Sequence, residues 1–156
     1  MKIIVKDNFT PNINKLNKLF LYETPHYWGH ASTNDGDPFY STPLDIDHPN
    51  LIEIHNDIIK SAPMELKMIR AYLNIQHQGM DGVFHDDDGD VTMLLMITDN
   101  PKKGGGEFEY KNEKGDIIKI EYKQNRLIIF DSKIKHRGLA YKENKPRITL
   151  VIKNKT

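Results

Sequence analysis

The 156-residue sequence predicts a mainly β fold with flanking helices, a distorted jelly roll in which two sheets close on each other as a double-stranded β-helix. Three observations point there. Two amphipathic stretches lie in the first 65 residues. After them the chain breaks into short β-rich runs, LKMIRAYLNIQ, VTMLLMIT, GEFEYK, DIIKIEYK, RLIIFDS and PRITLVIK, separated by Gly, Asn, Asp and Lys clusters. No repeat and no composition shift divides the chain, so residues 1–156 read as one domain, with helices and a loop in 1–65 and a jelly-roll core in 66–156.

Taken in order, residues 12–21 (NINKLNKLFL) place apolar side chains at 13, 16, 19 and 20, near the period of a helix that braces a sheet. Residues 22–50 are dense in Pro, Gly, Asp and aromatics and read as one long loop, with turn chemistry at Asn34-Asp35-Gly36-Asp37-Pro38. A second helix follows over residues 50–62, apolar at 51, 52, 54, 58 and 59, and Pro63 marks its end. In the β region, KNEKGD with Gly115 forms a hairpin loop. Arg70, Tyr72 and Asn74 alternate with Ile69, Ala71, Leu73 and Ile75, which gives that strand one polar and one apolar face.

Bulk properties exclude several function classes. Twenty-two basic residues balance twenty-two acidic ones, so no global field draws nucleic acid or an anionic membrane. With no cysteine, any metal site must use His and carboxylate. The N-terminal apolar run is too short for a signal peptide or membrane span, and a cytoplasmic chain is the expectation.

The chemistry gathers around His85-Asp86-Asp87, with His136 and then Arg147 downstream. In an extended strand residues i and i+2 point to the same side, so His85 and Asp87 can grip one ion while Asp86 turns away. Two His and one carboxylate suit a non-haem Fe(II) site that keeps coordination positions open. In PRITLVIK, Arg147 and Thr149 share one side, a plausible clamp for a dicarboxylate. The run HDDDGD also invites a calcium-loop reading, which fails on spacing because Phe84 and Leu95 would occupy the first and last ligand positions.

From Lys67 to Lys153, a little over half the chain, the sequence resembles the Fe(II)/2-oxoglutarate-dependent dioxygenase superfamily in its prolyl 4-hydroxylase-like branch. The resemblance rests on the order of RAYLN, GMDGVFHDD, VTMLLMIT, GGGEFEY, RLIIFDSKIKHRG and PRIT, with ten residues between His136 and Arg147. It implies that His85, Asp87 and His136 ligate iron and that Arg147 pairs with the distal carboxylate of 2-oxoglutarate. Tyr72 and Thr149 become supporting hydroxyls, and Gly105-Gly106-Glu107 a turn at the cavity edge. The implied cofactors are Fe(II), 2-oxoglutarate as cosubstrate, O2 and ascorbate. The implied reaction hydroxylates an aliphatic carbon, of a prolyl or other residue in a peptide or protein, and releases succinate and CO2. One departure stands out: Leu95-Met96-Ile97-Thr98 lacks the tyrosine that often touches 2-oxoglutarate from that strand.

Alternatives are a non-catalytic jelly-roll module that binds metal or a small acid, and an oxygenase acting on a free amino acid or a nucleobase. Of the remaining candidates, His55 reads as a surface or capping residue, and His26 and His30 as packing residues. Arg126 and Arg137 read as solvated, and Asp86, Asp88 and Asp90 as a solvated turn. Trp28 and Tyr40 are the first candidates in the loop for a substrate contact, because aromatics offer large rigid surfaces.

Overall fold

The structure, a computed structural model, describes residues 3–62 and 64–156. Pro63, expected to end the second helix, lies outside the described residues.

Helix α1 (Ile13–Tyr22) and helix α2 (Pro49–Ser61) form where the apolar spacing places them. Pro49 opens α2 at a position where a missing N–H costs nothing, and His48 Nδ1 caps it by accepting from Asn50 N at 3.2 Å. The capping histidine is thus His48. His55, expected at the surface or in a cap, is buried in mid-helix against Asn154. It sits there because a polar residue on the inward stripe of a helix must find a partner in the sheet that the stripe covers.

Among the described residues ten strands follow the chain order: β1 (Ile4–Lys6), β2 (Tyr27–His30), β3 (Phe39–Leu44), β4 (Lys67–Gln76), β5 (Val91–Met96), β6 (Phe108–Lys111), β7 (Ile117–Ile120), β8 (Leu127–Asp131), β9 (His136–Gly138) and β10 (Arg147–Lys155). Among the described residues the larger sheet runs β1-β8-β5-β10-β4-β3-β2 and the smaller one β7-β6-β9, with the strands paired antiparallel. The jelly-roll expectation holds.

The long loop expected over residues 22–50 is a correction. Its turn residues do turn the chain, but they close the hairpin β2–β3, which adds two strands to the large sheet beside β4. The aromatic pairs Tyr27-Trp28 and Phe39-Tyr40 favour extended backbone on both sides of that turn. Density of Gly, Pro and Asp hid them.

The alternation of the central strands positions the site. Ala71, Leu73 and Ile75 of β4, Met93 and Leu95 of β5, and Ile148, Leu150 and Ile152 of β10 face the helices, where they pack with Leu16, Phe20, Leu51, Ile54 and Ile58. Each such fully buried aliphatic side chain contributes about 1.5–3 kcal/mol. The other face of the same strands meets the small sheet through Leu94, Met96, Phe108, Ile128, Phe130, Tyr122, Tyr141 and Val151. Tyr72, Asn74 and Gln76 of β4 and Arg147, Thr149 and Lys153 of β10 therefore lie on the side covered by the small sheet, while Arg70 stays exposed.

Candidate metal centre and cosubstrate cavity

Residues 82–87 run antiparallel to residues 132–138. Gly82 N donates to Gly138 O at 2.9 Å, Asp87 N to Ser132 O at 2.8 Å, and His85 and His136 exchange backbone bonds of 3.0 and 2.9 Å. That reciprocal bridge aims both imidazoles the same way, with ring centroids 4.5 Å apart. Asp87, two residues along the extended backbone, joins them: its Oδ1 lies 3.5 Å from His85 Nε2 and its Oδ2 3.3 Å from His136 Nε2. One ligand atom from each of the three lies within 4.8 Å of the others. Asp86 points outward to Lys135 at 3.0 Å.

Both imidazoles are oriented from behind. His85 Nδ1 is 2.8 Å from Val83 O, and His136 Nδ1 is 2.8 Å from Ile134 O. A carbonyl only accepts, so each Nδ1 carries a proton, and Nε2 is the nitrogen that faces the shared point and would meet a metal. Phe108 stacks on the His136 ring at 5.5 Å and Phe130 meets it edge-on at 4.7 Å. Asp87 Oδ2 accepts from Thr92 Oγ1 at 2.8 Å and also touches Lys153 Nζ. Burial pushes the Asp87 carboxyl pKa up, but the His136 and His85 contacts and the Lys153 charge outweigh it and hold the group well below the usual carboxylate range. Asp87 is an anion in waiting for a cation.

At the other end of the cavity Arg147 is only 1% exposed. Its Nε donates to Gly106 O at 3.0 Å and its Nη1 to Gln76 Oε1 at 2.8 Å, so the glycine turn holds the guanidinium, while Gly105 and Glu107 border a different hollow. Gln76 is held in turn, its Nε2 donating to Met80 O at 2.8 Å and Gly138 O at 2.9 Å. Among the described residues Arg147 Nη2 and Thr149 Oγ1 are buried with no hydrogen-bond partner, and the same is true of Asn74 Oδ1. These residues line one cavity, open to solvent, together with Tyr72, His85, Asp87 and His136. Burial lowers the Arg147 pKa, yet a guanidinium does not lose its proton in a protein. Burial, then the nearby Asp87 charge, raises the Tyr72 phenol, which stays protonated and able to donate.

The donor set fits a divalent metal with open positions and a small dicarboxylate beside it. A carboxylate would meet Arg147 Nη2 and Thr149 Oγ1, two buried donors that the protein leaves unmatched. Tyr122 places its ring 5.5 Å from Arg147 Cζ, but its hydroxyl and that of Tyr141 are bound at Thr98 Oγ1, at 3.0 and 2.9 Å. They brace the guanidinium from behind.

The remaining candidates fall elsewhere. By register Trp28 pairs with Tyr40 and Tyr40 with Ile75, a helix-facing residue, whereas Tyr27 pairs with Ser41 and Ser41 with Asn74 of the cavity. The side chains that continue the cavity side are thus Tyr27 and His30, the latter packed on Phe39 and Tyr72. Arg126 binds Asp7 and Arg137 binds Glu109, so neither is merely solvated. Asp88 pairs with Arg70 at 2.7 Å and Asp90 accepts from Thr156. His26 Nε2 donates to Phe20 O at 2.8 Å, a packing role. Sequence reasoning missed Gln76, Thr92 and Lys153 at the site. Continuing the β4 and β10 alternation by one or two steps reaches Gln76 and Lys153.

The fold is that of the 2-oxoglutarate/Fe(II) oxygenases, prolyl hydroxylases among them. A prolyl-4-hydroxylase of Pseudomonas putida is similar with a TM-score of 0.73 at 13% identity, over 96% of this chain and 90% of its own. A prolyl hydroxylase of Trichoplax adhaerens, in complex with a hypoxia inducible factor oxygen degradation domain peptide fragment, gives 0.71 at 17% identity, over 96% and 82%. HygX of Streptomyces hygroscopicus, with nickel, 2-oxoglutarate and hygromycin B bound, gives 0.72 at 10% identity, over 96% and 81%. No protein-family model and no curated protein matches the sequence. Among the described residues no helix is long and apolar enough to cross a membrane.

Proposed function

We propose that this protein is a non-haem Fe(II)- and 2-oxoglutarate-dependent dioxygenase that hydroxylates an aliphatic carbon of a prolyl or other residue in a peptide. The observation that carries the reading is the pair of unpartnered buried donors, Arg147 Nη2 and Thr149 Oγ1, in the same cavity as His85, Asp87 and His136. A structural role for Arg147 alone would use every donor it buries. An acid-binding role needs some left over.

In this reading His85, Asp87 and His136 hold the iron, and Arg147 with Thr149 fixes the distal carboxylate of 2-oxoglutarate. Bound together, iron and 2-oxoglutarate supply oxidative decarboxylation to succinate and CO2, one atom of O2 going to succinate and the other into a substrate C–H bond. The chain's part is positional. Arg147 is held at Nε and Nη1 by Gly106 and Gln76, so Nη2 is presented in one direction. Leu94, Phe108 and Val151 line the cavity beside the polar groups and restrict water. Tyr72 also borders an adjoining hollow with Tyr27, Trp28, His30, Ser41 and Arg70, which leads to the exposed edge strand β2 and supports an extended substrate.

Succinate release tests this. Fe(II), O2, ascorbate and 2-oxoglutarate should give succinate with the wild type, stimulated by a proline-containing peptide, and none with Asp87→Ala. Metal and 2-oxoglutarate binding without succinate, whichever peptide, amino acid or nucleobase is supplied, would assign a binding module instead.

A further inference from the structure

Lys153 belongs to the same face of β10 as Arg147 and Thr149 and is 0% exposed. Lysine is almost never this buried unless paired. Among the described residues its ion-pair partner is Asp87, through the Oδ2 that also accepts from Thr92, and Thr92 Oγ1 is 3.5 Å from Nζ. Tyr72 closes the other side, its ring centroid 5.8 Å away. Arg70, the register neighbour of Lys153 on β4, pairs outward with Asp88, so it does not neutralise Asp87.

We propose that Lys153 is the counter-ion of Asp87 in the metal-free protein and thereby sets how tightly the site holds its metal. This rests on the metal-centre reading above. A buried carboxylate without a counter-charge is strongly unfavourable. Lys153 supplies it and keeps the empty site folded. It also occupies Oδ2, which leaves Oδ1, on the His85 side, as the oxygen free to meet an ion. Once a dication arrives, the carboxylate no longer needs the ammonium, which becomes a like charge close to the metal. Metal binding therefore works against Lys153, and the site is tuned to a weaker grip than three such ligands alone would give.

Metal-stripped wild type and Lys153→Met are titrated with Mn(II), and both proteins are melted with and without the metal. Methionine keeps the aliphatic packing and removes the charge. The variant should bind Mn(II) about tenfold or more tightly, as expected when a unit charge near a dication is removed. Its stripped form should melt lower than stripped wild type, while the two loaded forms melt alike. Unchanged or weaker Mn(II) affinity overturns the proposal, since packing alone predicts no change and a positioning role predicts loss. If Lys153→Met fails to fold when stripped, Lys153→Met/Asp87→Asn decides: recovery of folding supports the pairing, and failure of the double variant overturns it. A wild type that binds no Mn(II), or binds it equally well as His136→Ala, overturns the metal-centre reading itself.

Discussion

Gly138 leaves the space in which the Arg147 guanidinium lies: a Cβ at position 138 would stand 3.0 Å from Nη1 and 3.1 Å from Nη2. Gly138 O also accepts from Gln76, the residue that holds Nη1. One residue thus governs both the room and the support for the candidate carboxylate clamp. Gly138→Ala should push the guanidinium by a few tenths of an ångström and weaken 2-oxoglutarate binding roughly tenfold, because recognition by fixed donors is sensitive to small displacements. Mn(II) affinity should stay as in wild type. Calorimetric titration of both ligands checks it, and equal losses for metal and 2-oxoglutarate would contradict a role confined to the clamp.

Arg147→Lys should cost more. The guanidinium reaches Gly106 O, Gln76 Oε1 and the cavity at once, and a point-like ammonium cannot do all three. Losing a buried charged partner costs about 2–5 kcal/mol, which is roughly 30-fold or more in 2-oxoglutarate affinity. Thr149→Val should weaken the same binding by about 1 kcal/mol through one lost hydrogen bond. Titration of the Mn(II)-loaded variants with 2-oxoglutarate gives both values, and the order Arg147 above Thr149 is the point at issue.

The triad was legible because its spacing is local physics. His85 and Asp87 share a side in any extended backbone, and the strand preceding His136 announces the return of the chain. Arg147 and Thr149 were legible for the same reason, from β10 alternation, and that pattern runs on to Val151 and Lys153. What stayed hidden depends on partners far along the chain. Arg126 reads as a solvated cation until the fold brings Asp7 within 2.7 Å of it, across 119 residues. Trp28 and Tyr40 looked like substrate contacts because composition marks aromatics but not the face they take. Only the register, Tyr40 opposite Ile75, turns Tyr40 to the helix side, while Trp28 stays exposed and borders the same hollow as Tyr27 and His30.

His55 is another such case, and it carries a stability prediction. Its Nε2 donates to Asn154 Oδ1 at 2.7 Å, while Asn154 Nδ2 donates to Val91 O and Ile152 O. Both side chains are buried, so His55→Leu strands an acceptor at the join between α2 and β10. The expected loss is about 1–3 kcal/mol. Urea unfolding should show a lower midpoint with an unchanged slope, and Mn(II) affinity of the folded variant should not move. An unaltered midpoint would show that the bond contributes nothing net.

Asp7 sets an acid limit on stability. Its Oδ1 accepts from Arg126 Nε at 2.7 Å, and its Oδ2 from Arg126 Nη2 at 3.0 Å and Lys123 Nζ at 2.9 Å. These bonds, Arg126 first and Lys123 second, hold the carboxyl well below the usual range against a small opposing effect of burial. The folded pKa is the lower one, so the group stabilises the fold above the unfolded value of about 3.9, and that contribution is lost as pH falls towards the folded value. The side chain is 33% exposed, and solvent screening limits the effect to about 1 kcal/mol. Asp7→Asn should therefore unfold at lower urea than wild type at pH 7, and the gap should narrow steadily from about pH 4 downwards. Raising salt at pH 7 should narrow it as well. A gap that is the same at pH 2.5 as at pH 7 would mean that the lost stability comes from packing of the β1 end, not from the charge of Asp7.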